Sequence, residues 1–154
     1  ATVLIIQIPL GMYLVDMDFS EKRLTVENIH VAVGISIFYL TVLRLIYKAF
    51  NPTPKLNNSI FPGQKIIAKL NHVFLYISIL MITISGALKK LYNGEELDMF
   101  FFNLEIQDNF DLAEIFYEIH ILGNYTLIAL ISLHIFAVLI HKILFKENLL
   151  KRIL

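Results

Sequence analysis

The chain has 154 residues, of which 57% are apolar and none is cysteine, with 13 basic against 13 acidic side chains. A mean hydropathy of +0.69 excludes an ordinary water-soluble domain, and the balanced charge argues against nucleic acid as a partner. Without cysteine there is no disulfide framework, thiolate metal site or iron–sulfur cluster, so metal or redox chemistry rests on five histidines and the carboxylates.

Four apolar runs follow in chain order. Thr2–Val15 is apolar but short of the roughly 20 helical residues that cross a hydrocarbon core of about 30 Å. Because the chain opens on Ala and is already apolar at Val3, the first helix is expected to be truncated and to begin upstream. A stub left by a cleaved signal peptide is the alternative. Ile29–Phe50, Ile66–Leu88 and Ile115–Phe145 are long enough to span. After the second run Asn51-Pro-Thr-Pro54 stops the helix, since proline lacks the amide donor. Asn93-Gly94 marks a turn after the third, and Met99–Leu104, with three consecutive Phe, belongs at the outer interface or against the bundle. The expected fold is all-α: one integral membrane four-helix bundle over 1–154.

Charge sets the orientation. The segments Asp16–Glu27 and Lys89–Glu118 together carry 4 basic and 12 acidic groups. The opposite side has 9 basic groups, Arg44 to Lys69 and then Lys142 to Arg152, against Glu147 alone. The positive-inside rule puts the basic side, and with it both termini, in the cytoplasm.

Polar residues at bundle depth distinguish a cofactor holder from a scaffold. His30 opens the second span, His72 lies early in the third, and His120, His134 and His141 lie on the fourth. His120 and His134 are 14 residues apart, which returns to within about 40° of one helix face about 21 Å further along. Two ligands on one face at two depths suit a pair of stacked haems. His30 and His120 both sit at the outer end, where two imidazoles on neighbouring helices can hold one six-coordinate iron. Gly34 and Gly123 follow them and leave room for a flat macrocycle, or serve close helix packing. Arg44, 14 residues after His30, pairs with a haem propionate or snorkels as an anchor. His141 beside Lys142 reads as an interfacial cation. His72 is open between a quinone or propionate contact, a packing residue and a substitute ligand.

The stretches Asn28-Ile-His-Val-Ala-Val-Gly34 through Arg44 to Pro54, Leu70-Asn-His-Val-Phe-Leu-Tyr76, His120 to Gly123-Asn-Tyr125, Leu133-His134 and Lys146–Arg152 carry a resemblance. With them the sequence resembles the bacterial cytochrome b561 family, four-helix di-haem b proteins that include superoxide oxidases. The resemblance implies an outer haem on His30 and His120, and an inner haem on His134 with a first-helix histidine. Helix 1 as given contains no histidine. A missing N-terminus, substitution by His72 or His141, or an inner site without haem each account for that.

The implied function is electron transfer between an outer-face reactant and membrane quinone, with superoxide:quinone oxidoreductase as the family-implied activity. The acidic outer side suits a cationic electron carrier as the other reactant class. Two rival readings are the cytochrome b anchor subunit of a larger dehydrogenase or hydrogenase complex, and a haem-free membrane scaffold or assembly factor.

Overall fold

A computed structural model describes residues 2–51 and 63–144. Four helices account for most of them: α1 Thr2–Val15, α2 Glu21–Phe50, α3 Gln64–Tyr92 and α4 Phe110–Leu144, with a two-stranded hairpin between the last two. The Pro52–Pro54 stop, Lys55 and the Lys146–Arg152 tail lie outside the described residues, as do the side chains of Lys65, His141 and Lys142.

At 1.5 Å per residue the three long helices, of 29 to 35 residues, reach about 44–52 Å, enough to cross a bilayer and project beyond it. All three are long and apolar enough to be spans, whereas α1 is a shorter apolar helix of 14 residues. Their apolar side chains mostly face outward, Ile5, Leu43, Phe74 and Phe136 among them, as a bilayer solvent allows. Hydroxyls within the helices close on their own backbone: Ser36, Thr41, Thr83 and Ser85 each donate to a carbonyl three or four residues earlier.

The helix ends extend the spans read from hydropathy. α2 starts eight residues before Ile29 because Ser20 caps it, its Oγ accepting from Arg23 N at 3.2 Å, with Glu21 at the positive end of the dipole. α4 starts at Phe110 rather than Ile115, since Asn109 Oδ1 accepts from Leu112 N and Asn109 N donates to Tyr92 O. The Asn93-Gly94 turn is present, with Gly94 at a φ of 78° that favours glycine.

The hairpin pairs Leu97 with Leu104 and Asp98 with Asn103. It folds back along α2 and does not project outward. Leu97, 1% exposed, packs with Ile35 and Leu91, and Tyr39 Oη donates to Met99 O at 3.1 Å. Tyr39 stands nine residues past His30, about 13 Å further into the bundle. Of the two placements open for Met99–Leu104, the bundle surface is the one observed, with Phe100–Phe102 left exposed at the tip.

α1 packs on α2, α2 on α3, and α4 chiefly on α3. Between the α1–α2 and α3–α4 halves a cavity of about 360 Å³ remains, lined by residues of all four helices.

Candidate functional site

His30 on α2 and His120 on α4 meet across this cavity, their ring centroids 6.2 Å apart and their planes at 78°. The ring of His120 is oriented by Ile82 O, 2.9 Å from its Nδ1. A carbonyl can only accept, so the neutral imidazole carries its hydrogen on Nδ1 and leaves the Nε2 lone pair free. His30 is held from α1. Gln7 Nε2, in a residue 8% exposed, lies 3.1 Å from His30 Nδ1 and donates to His30 O at 2.8 Å. Gln7 Oε1 is buried with no hydrogen-bond partner among the described residues.

Two glycines let neighbouring helices approach these rings. A Cβ at Gly11 would fall 2.9 Å from His30 Cε1, and one at Gly86 would fall 2.9 Å from both Cε1 and Nδ1 of His120. The walls are largely aliphatic, with Leu4, Ile8, Val31, Ile35, Ile79 and Leu127 among them, and Thr83 and Asn124 as polar members. No cluster of three or more His, Cys, Asp or Glu that would hold a bare metal ion occurs among the described residues. Two imidazoles facing one another in an apolar cavity instead suit an iron whose remaining ligands come from a flat macrocycle.

Arg23, Lys89, Lys90, Asp16 and Glu27 line the same cavity. Lys89 Nζ pairs with Glu27 Oε1 at 3.3 Å, Lys90 Nζ with Glu95 Oε2 at 2.6 Å, and Arg23 donates to Met17 O at 2.5 Å. Lys22 donates to Tyr13 Oη. Glu95, outside the spans, is partly buried, which favours its neutral form. Hydrogen bonds from Lys90 and Asn93 outweigh this, so its carboxyl is held below the usual range.

A second histidine pair stands at the other end. His72 on α3 and His134 on α4 have centroids 5.1 Å apart and planes at 66°. His134 lies 14 residues, about 21 Å, from His120 along α4. Asn71 Nδ2 is 3.1 Å from His134 Nδ1, and Arg44 Nε donates to Tyr76 Oη at 3.0 Å, with Lys48 Nζ 5.1 Å over the Tyr76 ring.

The residues singled out in the sequence thus divide. His30, His120 and Gly34 line the cavity, and His72 and His134 come together, with Arg44 near them on Tyr76. Gly123 is buried against α3, where a Cβ would meet Ile82 Cγ1 at 2.8 Å, so it serves the helix contact. Gln7, Gly11, Gly86 and Asn71 are not among the site residues that the sequence singles out. Gln7, as the one amide side chain in a 14-residue apolar helix, is the available signal. The glycines carry none until the partner helix is known.

The profile of the family described as prokaryotic cytochrome b561 matches residues 1–154. The chain is 25% identical over 149 residues to cytochrome b561 homolog 2 of Escherichia coli (strain K12), a match covering 94% of this chain and 79% of that protein. With three apolar helices long enough to span and a histidine pair facing a bundle cavity, the chain belongs to the prokaryotic cytochrome b561 family of haem b electron-transfer membrane proteins.

Proposed function

We propose that the chain carries electrons across a bacterial inner membrane between a small anionic reactant, superoxide, at the outer mouth and a quinone in the bilayer. The observation that carries this reading is the His30–His120 pair across the glycine-flanked cavity. In it His30 and His120 would hold an outer haem b, and His134 would help hold an inner one. Haem b supplies a one-electron iron II/III couple.

The protein's own residues do the rest. Ile82 O keeps the His120 Nε2 free for iron, and Gln7 anchors His30 to α1 through the His30 carbonyl; its Nε2 also stands 3.1 Å from His30 Nδ1, a contact that would have to open for His30 to carry its hydrogen on Nδ1 and present Nε2. Gly11 and Gly86 keep the flanking helices close without side chains in the way. The aliphatic wall excludes water. Held by two imidazoles, one from His30 and one from His120, the haem would supply electron transfer rather than oxygen activation.

At the mouth Arg23, Lys89 and Lys90 gather beside Asp16 and Glu27, with Glu95 paired to Lys90, so the local charge is balanced where the outer side as a whole is acidic, and this supports a small anion over a basic protein. At the inner end His72 is exposed beside His134, and there its imidazole can exchange the proton that quinone reduction or quinol oxidation requires. The charge asymmetry supports the orientation, with both termini cytoplasmic.

The test is superoxide consumption by the purified, haem-loaded protein with added quinone at several ionic strengths. A quinone-dependent rate that falls as salt rises is expected. A rate that is indifferent to quinone would remove the superoxide:quinone assignment.

A further inference from the structure

Asn71 and His134 meet where α3 packs on α4. Asn71 Nδ2 lies 3.1 Å from His134 Nδ1, while Asn71 Oδ1 is buried with no hydrogen-bond partner among the described residues. In this arrangement the amide N–H donates to Nδ1. A neutral imidazole then carries its own hydrogen on Nε2, the nitrogen an iron needs unprotonated. A half-turn of the amide exchanges its two ends in nearly the same space. Oδ1 then accepts from Nδ1–H and the Nε2 lone pair is released, while the amide NH2 takes the buried position where Oδ1 has no partner among the described residues.

We propose that Asn71 is a positioning residue for His134: its amide oxygen takes the Nδ1 hydrogen when iron is bound, fixing tautomer and ring orientation and making the imidazole a stronger donor. The inference rests on the reading of His134 as an iron ligand. Gln7 does not offer the same device at His30. Its Nε2 is pinned by the His30 main-chain carbonyl at 2.8 Å, and a half-turn would set two carbonyl oxygens against each other. At His120 the acceptor is a main-chain carbonyl that substitution does not alter. The inner site is therefore the one whose ligand strength is set by an exchangeable side chain.

A stronger imidazole donor favours ferric over ferrous iron. The experiment uses the full chain and resolves the haem midpoint potentials in Asn71→Asp, Asn71→Leu and His134→Ala, with haem per chain measured in each. Asn71→Asp supplies a carboxylate acceptor and is expected to raise the ferric preference of the inner haem about tenfold, a shift of about 59 mV to more negative potential for a one-electron couple. Asn71→Leu, which removes the acceptor, is expected to move it the opposite way, and the outer haem moves in neither. If the Leu variant loses the inner haem, the Asp variant decides alone. An inner potential unmoved or moved positive in the Asp variant overturns the role of Asn71. Full retention of the inner haem in His134→Ala overturns instead the ligand reading on which the role depends.

Discussion

The two histidine pairs look alike in sequence and differ in their surroundings. At the outer end His30 and His120 sit on helices kept apart by a cavity of about 360 Å³, with glycines where α1 and α3 come against the rings. At the inner end His72 and His134 sit on α3 and α4, which pack directly, and their rings are 1.1 Å closer than the outer pair by difference of the centroid distances. The 14-residue interval places histidines at two depths of one face. The separation of the helices decides which of the two pairs has room for a flat group between its own rings.

The sharpest way to break this contrast is to fill the outer cradle. Gly86→Val puts branched carbons where a single Cβ already falls 2.9 Å from the His120 ring. Displacing a metal ligand in this way is expected to cost at least the roughly 10–100-fold in affinity typical of altered supporting residues. Haem quantification should show the outer haem lost and the inner component of the reduced-minus-oxidised spectrum retained.

Gly123→Ala tests the opposite case. Its Cβ would press on Ile82 Cγ1 at 2.8 Å and Met81 Cε at 3.0 Å, both side-chain atoms of α3. A loss of about 1–3 kcal/mol in bundle stability is expected from this overpacking. Thermal unfolding in detergent reads it, and the spectrum of the folded fraction should be unchanged. An altered outer haem spectrum would place Gly123 with the cradle.

Smaller effects sharpen the electrostatic side of the comparison. Lys89→Gln removes one of three basic groups at the outer mouth and unpairs Glu27. The rate of haem reduction by superoxide should fall several-fold and lose part of its salt dependence, while the response to quinone concentration stays as it is. The Lys90–Glu95 pair gives the smallest signal. Glu95 has its carboxyl held below the usual range in the folded state, so its stabilising contribution is full above the unfolded value of about 4.3 and is lost as pH falls through the folded one. The protection of the residue 95–104 amides, their exchange rate relative to the unfolded chain at the same pH, should fall under acid, and Glu95→Gln should abolish that dependence.

Much of this architecture was legible in the sequence. The three long spans follow from runs of apolar residues too long for any other role, and the facing of His30 and His120 follows from helical rise and orientation. The α2 start was misplaced because charges between Glu21 and Glu27 read as loop, although Ser20 and Glu21 are a capping signal. The hairpin was visible only as an apolar loop, since two-residue strands and a Tyr39–Met99 bond across 60 residues leave no local pattern. Gly34 and Gly123 could not be separated in advance, because a glycine means a cradle or a helix contact according to what the partner helix presents. Gln7 and Asn71 escaped notice for a related reason. An amide acquires its role from the imidazole that another helix brings beside it.

The central claim is that one haem is held jointly by α2 and α4. Haem per chain in His30→Ala, His120→Ala and the double variant tests it most directly, because ligands of one iron act as a unit. Each single variant should lose the same spectral component, and the double variant should lose no more haem than either alone. Retention of full haem content in both single variants, or a double variant that loses twice as much as each, would contradict it.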